Sequence, residues 1–78
     1  MRNYQIMQTY HFTKYQCTIG TTELINEKIH RFYMWLIFTE DSHYQQFIKF
    51  KTYVEILEKY YKYDIHIVKC SEINKKTS

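Results

Sequence analysis

The side chains in this sequence best suited to chemistry are its two cysteines, Cys17 and Cys70, and its four histidines. A thiolate beside an imidazole can act as a nucleophile, and thiolates together with imidazoles can hold zinc. His66 and Cys70 stand four apart in a segment that reads as a strand, which places them on one face, with His11, His30 and Cys17 as further candidates. Structural zinc sites, however, show closely spaced pairs such as Cys-x2-Cys, and no such pair occurs in the chain. The pattern predicts no metal and no cofactor.

Nucleophilic catalysis meets a second obstacle. A covalent intermediate needs an oxyanion donor, commonly supplied by a glycine-rich turn, and Gly20 is the single glycine. Phosphate-binding glycine loops and the His-Glu-x-x-His motif are absent from the sequence too. Glu40 and Asp41 are adjacent carboxylates, but their place just before Ser42 suits a helix N-terminus better than acid–base work. Metal-independent RNA cleavage asks only for a few His, Lys, Arg and Tyr side chains. A small ribonuclease toxin is therefore kept as the catalytic alternative to an expectation of no enzymatic role.

The elements that must position these residues are read from periodicity. Over residues 42–62, Phe47, Phe50, Val54, Leu57 and Tyr61 recur at three- and four-residue spacing, extended by Tyr53, Ile56 and Tyr60. Ser42 with Gln45 has the form of a capping box, and Glu55–Lys59 and Glu58–Lys62 are favourably ordered pairs on the polar side. This predicts one long amphipathic helix. The short β-branched run 65–70 predicts a strand, followed by a polar tail over 71–78. Residues 29–39 (IHRFYMWLIFT) are β-branched and aromatic, apolar at odd and even positions alike, and predict a central strand. Further upstream, Tyr4, Ile6, Tyr10 and Phe12 share one parity and Tyr15, Cys17 and Ile19 the other. A hairpin or a bend near Thr13 and Lys14 would account for the switch. Residues 21–28 are read as a third strand with a turn near Asn26 and Glu27, one short helical turn being the alternative. The fold class is thus α+β, in the order β-β-β-α-β, with about four mostly antiparallel strands and the helix packed on one face. Residues 1–70 form a single domain on this reading.

A chain of 78 residues supports one hydrophobic core. Fifteen of its residues are aromatic, nine of them Tyr, so bulky rings must do much of the burying. The longest apolar run, residues 32–38, is far short of the ~20 residues that span a bilayer. The expectation is a cytoplasmic protein with no membrane partner and with reduced thiols, a Cys17–Cys70 disulfide being the lesser alternative. The chain lacks Pro and Ala and is rich in residues with AT-rich codons, a composition that suits a low-GC bacterium, its phage or another virus.

Charge bears on the partner. The net charge is +3, and all of it arises in residues 59–78, since residues 1–58 hold six basic and six acidic side chains. A nucleic-acid-binding regulator using Arg31, Lys69, Lys75, Lys76 and exposed Tyr is therefore an alternative, although specific binders tend to show a stronger basic stripe. The leading expectation comes from residues 29–38. A single helix can cover one face of a central strand, and the other is either closed over by the N-terminal strands as a second layer or left open. If Phe32, Met34, Leu36 and Phe38 lie beneath the helix, Tyr33, Trp35 and Ile37, with Arg31, form an uncovered apolar face suited to a protein partner or a second copy. The sequence thus predicts a non-catalytic protein-binding module, such as a phage or mobile-element accessory protein that inhibits a host macromolecule, an anti-CRISPR inhibitor being one example.

Overall fold

The computed structural model describes residues 4–73. It is an α+β fold of three strands and two helices, in the order β1 (Ile6–His11), β2 (Tyr15–Thr21), α1 (Glu27–Phe38), α2 (His43–Lys59) and β3 (Ile65–Glu72). The parity switch at Thr13 and Lys14 is a tight hairpin, closed where the Phe12 amide donates to the Tyr15 carbonyl at 2.7 Å. β1 pairs antiparallel with β2, and β2 with β3, giving a sheet of order β1-β2-β3. No separate strand forms over residues 21–28: Thr21 closes β2, and Glu27 and Lys28 already open α1. Asn26 caps that helix, its side-chain oxygen accepting from the Lys28 and Ile29 amides.

One bulge sets the chemistry of β3. Ile19 pairs with Ile67 but Thr18 with Lys69, so Val68 is an extra residue without an opposite number. Beyond it the side-chain parity reverses. Ile65 and Ile67 face the core from odd positions, and Cys70 reaches the same face from an even one, directly opposite Cys17. The two sulfurs form a disulfide across 53 residues. The expectation of free thiols is thereby overturned, since strand register, invisible in the spacing of the cysteines, brings them together. His66 and Cys70 do not share a face either. His66 is exposed on the outer side, where Tyr4 stacks against it at 6.1 Å. Gly20 allows Tyr4 to lie there, because a Cβ at this position would come within 2.9 Å of the Tyr4 Cβ. β3 runs to Glu72, so Ser71 and Glu72 belong to the sheet and not to a tail.

The largest departure concerns residues 29–39. Nearly all of that run is α1, a helix, and the molecule has two helices over three strands where one over four was expected. The cause lies in the spacing. Ile29, Tyr33 and Ile37 are four apart, a separation that satisfies both the two-residue period of a strand and the 3.6-residue period of a helix. A four-residue connection then joins α1 to α2 in a helical hairpin. Ser42 caps α2 as its sequence predicts, its hydroxyl accepting from the Tyr44 and Gln45 amides. α2 stops at Lys59, three residues short of the expected end. Lys62 adopts the left-handed conformation at φ 61°, and the Tyr63 amide donates back to the Leu57 carbonyl.

Both helices lie on the same face of the sheet and close the core against it. Phe50 of α2 is fully buried and packs on Tyr10 and Phe12 at ring separations of 5.2 and 5.0 Å. Ile19, Ile37, Val54, Leu57 and Ile65 fill the remaining space. Gln46 ties the layers together. Its side-chain oxygen accepts from the Thr13 hydroxyl and its amide donates to the Glu40 carbonyl, both at 3.2 Å. Tyr53 is also buried, but its hydroxyl has no hydrogen-bond partner among the described residues.

Two outcomes follow for stability. Closing a 53-residue loop is worth about 4 kcal/mol by chain entropy. A dithiol reductant should thus lower the unfolding free energy by about 2–4 kcal/mol in urea titrations, and a midpoint indifferent to reductant would contradict the pairing. Tyr53→Phe removes an unsatisfied buried donor, so stability should hold or rise by about 1 kcal/mol. A loss larger than that would show the hydroxyl to be bonded.

Candidate protein-binding face

The helical register of α1 divides its side chains between core and solvent. His30, Tyr33, Met34 and Ile37 turn inward. Arg31, Phe32, Trp35 and Phe38 turn outward, with Phe32, Trp35 and Phe38 at 56, 64 and 51% exposure. Three large rings thus stand at three-residue intervals along the outer side of one short helix. On a chain of this size such a row is a candidate interaction surface, since rings of this kind are enriched at binding hot spots.

Beside the row, on the α2 side, a groove of about 280 Å³ runs between the helices. Tyr33, Leu36, Ile48, Tyr53 and Ile56 make it apolar, and Gln45, Lys49 and Thr52 complete its lining. Lys49 is held by Glu40 at 3.0 Å, and Arg31 by Glu27 at 3.2 Å, so these cations sit in exposed ion pairs at the margins of the face. Such pairs contribute about 0–1 kcal/mol each and act chiefly to orient the side chains.

The residues expected from sequence fall in different places. Trp35 is the most exposed of the α1 rings, as an uncovered face requires. Tyr33 is half-buried, stacked on Tyr53 at 5.2 Å. Ile37 is in the core at 2% exposure, on the opposite side of the helix from Trp35. Odd parity had grouped these three, and a 3.6-residue period separates them. Phe32 and Phe38, whose face the alternation of the run leaves open, are on the outer side, the Phe38 ring also lying 5.7 Å from that of Phe12. The signal that would have found them is the i, i+3, i+6 spacing of Phe32, Trp35 and Phe38 read as one ridge of a helix.

Other constellations are dispersed. Lys69 is exposed on the far side of the sheet, where it pairs in register with Thr18, and Lys75 and Lys76 lie outside the described residues. Arg31 stands on the helical layer and so does not join Lys69 in one basic stripe. Cys17 and Cys70 are consumed in the disulfide, which leaves neither as a thiol. A cleft of about 370 Å³ beneath the start of α1 is lined by Gln8, Tyr10, Leu24, Ile25, Glu27 and His30. There the Tyr10 hydroxyl lies 3.4 Å from both the Gln8 side-chain oxygen and His30 Nδ1, long for hydrogen bonds of this type. Burial pushes the Tyr10 phenol up to about 12 and the His30 imidazole below its ordinary value, Glu27 opposing the latter in part. Near neutral pH the cleft therefore presents a neutral phenol and a neutral imidazole. No helix among the described residues is long and apolar enough to cross a membrane.

Comparison with protein-family models, with curated proteins and with solved structures finds no match. Function must be read from the surface itself.

The shifts at the cleft have a measurable consequence. Folded His30 is harder to protonate than unfolded, so its contribution is intact above the ordinary histidine value near 6.5 and is lost as pH falls below it. Tyr10 and Tyr53 are harder to ionise when folded, so stability is intact below about pH 10 and is lost above it. Urea midpoints should plateau between these limits and decline on both sides. His30→Gln should flatten the decline below about pH 6.5. An unchanged decline in that variant would remove His30 from the account.

Proposed function

We propose that the chain is a non-catalytic protein-binding module acting through the outer face of its helical layer. One observation carries the reading: Phe32, Trp35 and Phe38 stand more than half exposed in a single row beside an apolar interhelical groove. Rings of this size lose hydration at a free-energy gain of roughly 25 cal/mol per Å² when covered, which favours a partner that covers them. The groove adds a seat for a projecting apolar side chain or for the apolar edge of a partner helix. A face of this kind acts by occlusion, covering part of a macromolecular partner's surface as an inhibitor does.

The test compares capture by wild-type protein and by Trp35→Ala, each immobilised and each first shown to melt at a similar temperature. An anchor in the centre of such a face costs about 2 kcal/mol or more in binding when truncated, a loss of roughly 30-fold or greater. Removing a ring that is 64% exposed should cost the fold less than about 1 kcal/mol. Proteins held by the wild type and lost with Trp35→Ala would support the reading. The same set on both baits, or a loss of stability as large as the loss of binding, would contradict it.

A further inference from the structure

Building on the protein-binding reading of this face, we propose that its occupant is a second copy of the chain, docked antiparallel across α1 on a twofold axis beside Trp35. An interface between identical copies must be complementary to itself when rotated by 180°. The outer side of α1 meets that condition in two respects. Its aromatic row is symmetric about Trp35, with Phe32 three residues before it and Phe38 three residues after it. Its charges are opposite at the two ends. Glu27, Lys28 and Arg31 give the N-terminal end of α1 +1, whereas beyond its C-terminal end Glu40 and Asp41 of the connection, with Lys49 of α2, sum to −1.

Rotation about Trp35 therefore sets Trp35 against its own copy and Phe32 against Phe38 of the other chain. Lys28 lies seven residues before Trp35 on α1, about 10 Å along the helix, and Asp41 lies just past the other end of α1 in the connection to α2, so the antiparallel arrangement brings each towards the opposite charge of the other chain. A parallel arrangement would oppose like ends. The three rings leave on the order of 350 Å² of aromatic surface uncovered per chain. A standard interface takes about 800 Å² from each partner, so the charged ends and the groove-side Leu36 and Ile48 must contribute the rest. That places the dimer among the smaller and weaker of specific interfaces.

The experiment is light scattering behind a sizing column from low micromolar to several hundred micromolar protein, with fluorescence recorded on the same samples. Trp35 is the single tryptophan, so its emission reports this face alone. The mass should rise from 9.8 kDa towards twice that value while the emission moves to shorter wavelength. Phe32→Glu should abolish both changes with its melting temperature largely kept. Lys28→Glu and Asp41→Lys should each weaken association by threefold or more, and an equal mixture of the two should associate more tightly than either alone. Failure of the mixture to recover would overturn the antiparallel arrangement. A monomer at the highest concentration, with Trp35 emission of a water-exposed indole, would overturn the second copy and leave the capture test to judge the face. A dimer indifferent to Phe32→Glu would place the contact elsewhere and count against both the proposal and the reading beneath it.

Discussion

The packing of Phe50 on Tyr10 and Phe12 is the contact on which the rest of the molecule depends. It binds α2 to the inner face of the hairpin and thereby fixes which side of α2 is buried. Gln46, one turn earlier on the same side, then meets the hairpin turn through Thr13 and the α1–α2 connection through the Glu40 carbonyl. With the end of α1 so tethered, only one helical phase places Ile37 in the core, and that phase turns Trp35 to solvent. The exposed aromatic row is thus a geometric consequence of how a small core is closed. Three strands offer room for one side of each helix and no more.

Much of this was legible in the residues themselves. α2 announced itself through its cap at Ser42 and an apolar spacing that no strand could share. The hairpin showed in the parity switch at Thr13 and Lys14, and β3 in its β-branched run. α1 was not legible as a helix, because its inward residues are four apart and its outward ones are aromatic, so an amphipathic helix with an exposed apolar side looks like a strand buried on both faces. Asn26 followed by Glu27 was the one local cue to a helix start. That large apolar rings stay exposed has a physical reason. A surplus of large rings over available cover is a property of composition and chain length, and it holds whichever period places them.

The disulfide was hidden for a different reason. Register across β2 and β3 is a tertiary quantity, and here it turns on a single extra residue, Val68, which carries Cys70 to the inner face. The same bulge separates His66 from Cys70 and so dissolves the ligand set that an unbroken strand would have offered. A bond closing most of the chain also changes the setting in which the fold is most stable, since such bonds persist in oxidising surroundings.

The central claim is the helical phase of α1, and the most direct measurement compares the melting of Ile37→Ser and Trp35→Ser. These residues share parity, so a strand would place both on one face and make the two losses alike. In the helix they point apart. Ile37→Ser should lower stability by about 2–5 kcal/mol, as loss of a buried aliphatic side chain does, while Trp35→Ser should stay within about 1 kcal/mol of wild type. Equal losses in the two variants would contradict the phase, and with it the outward placement of Trp35.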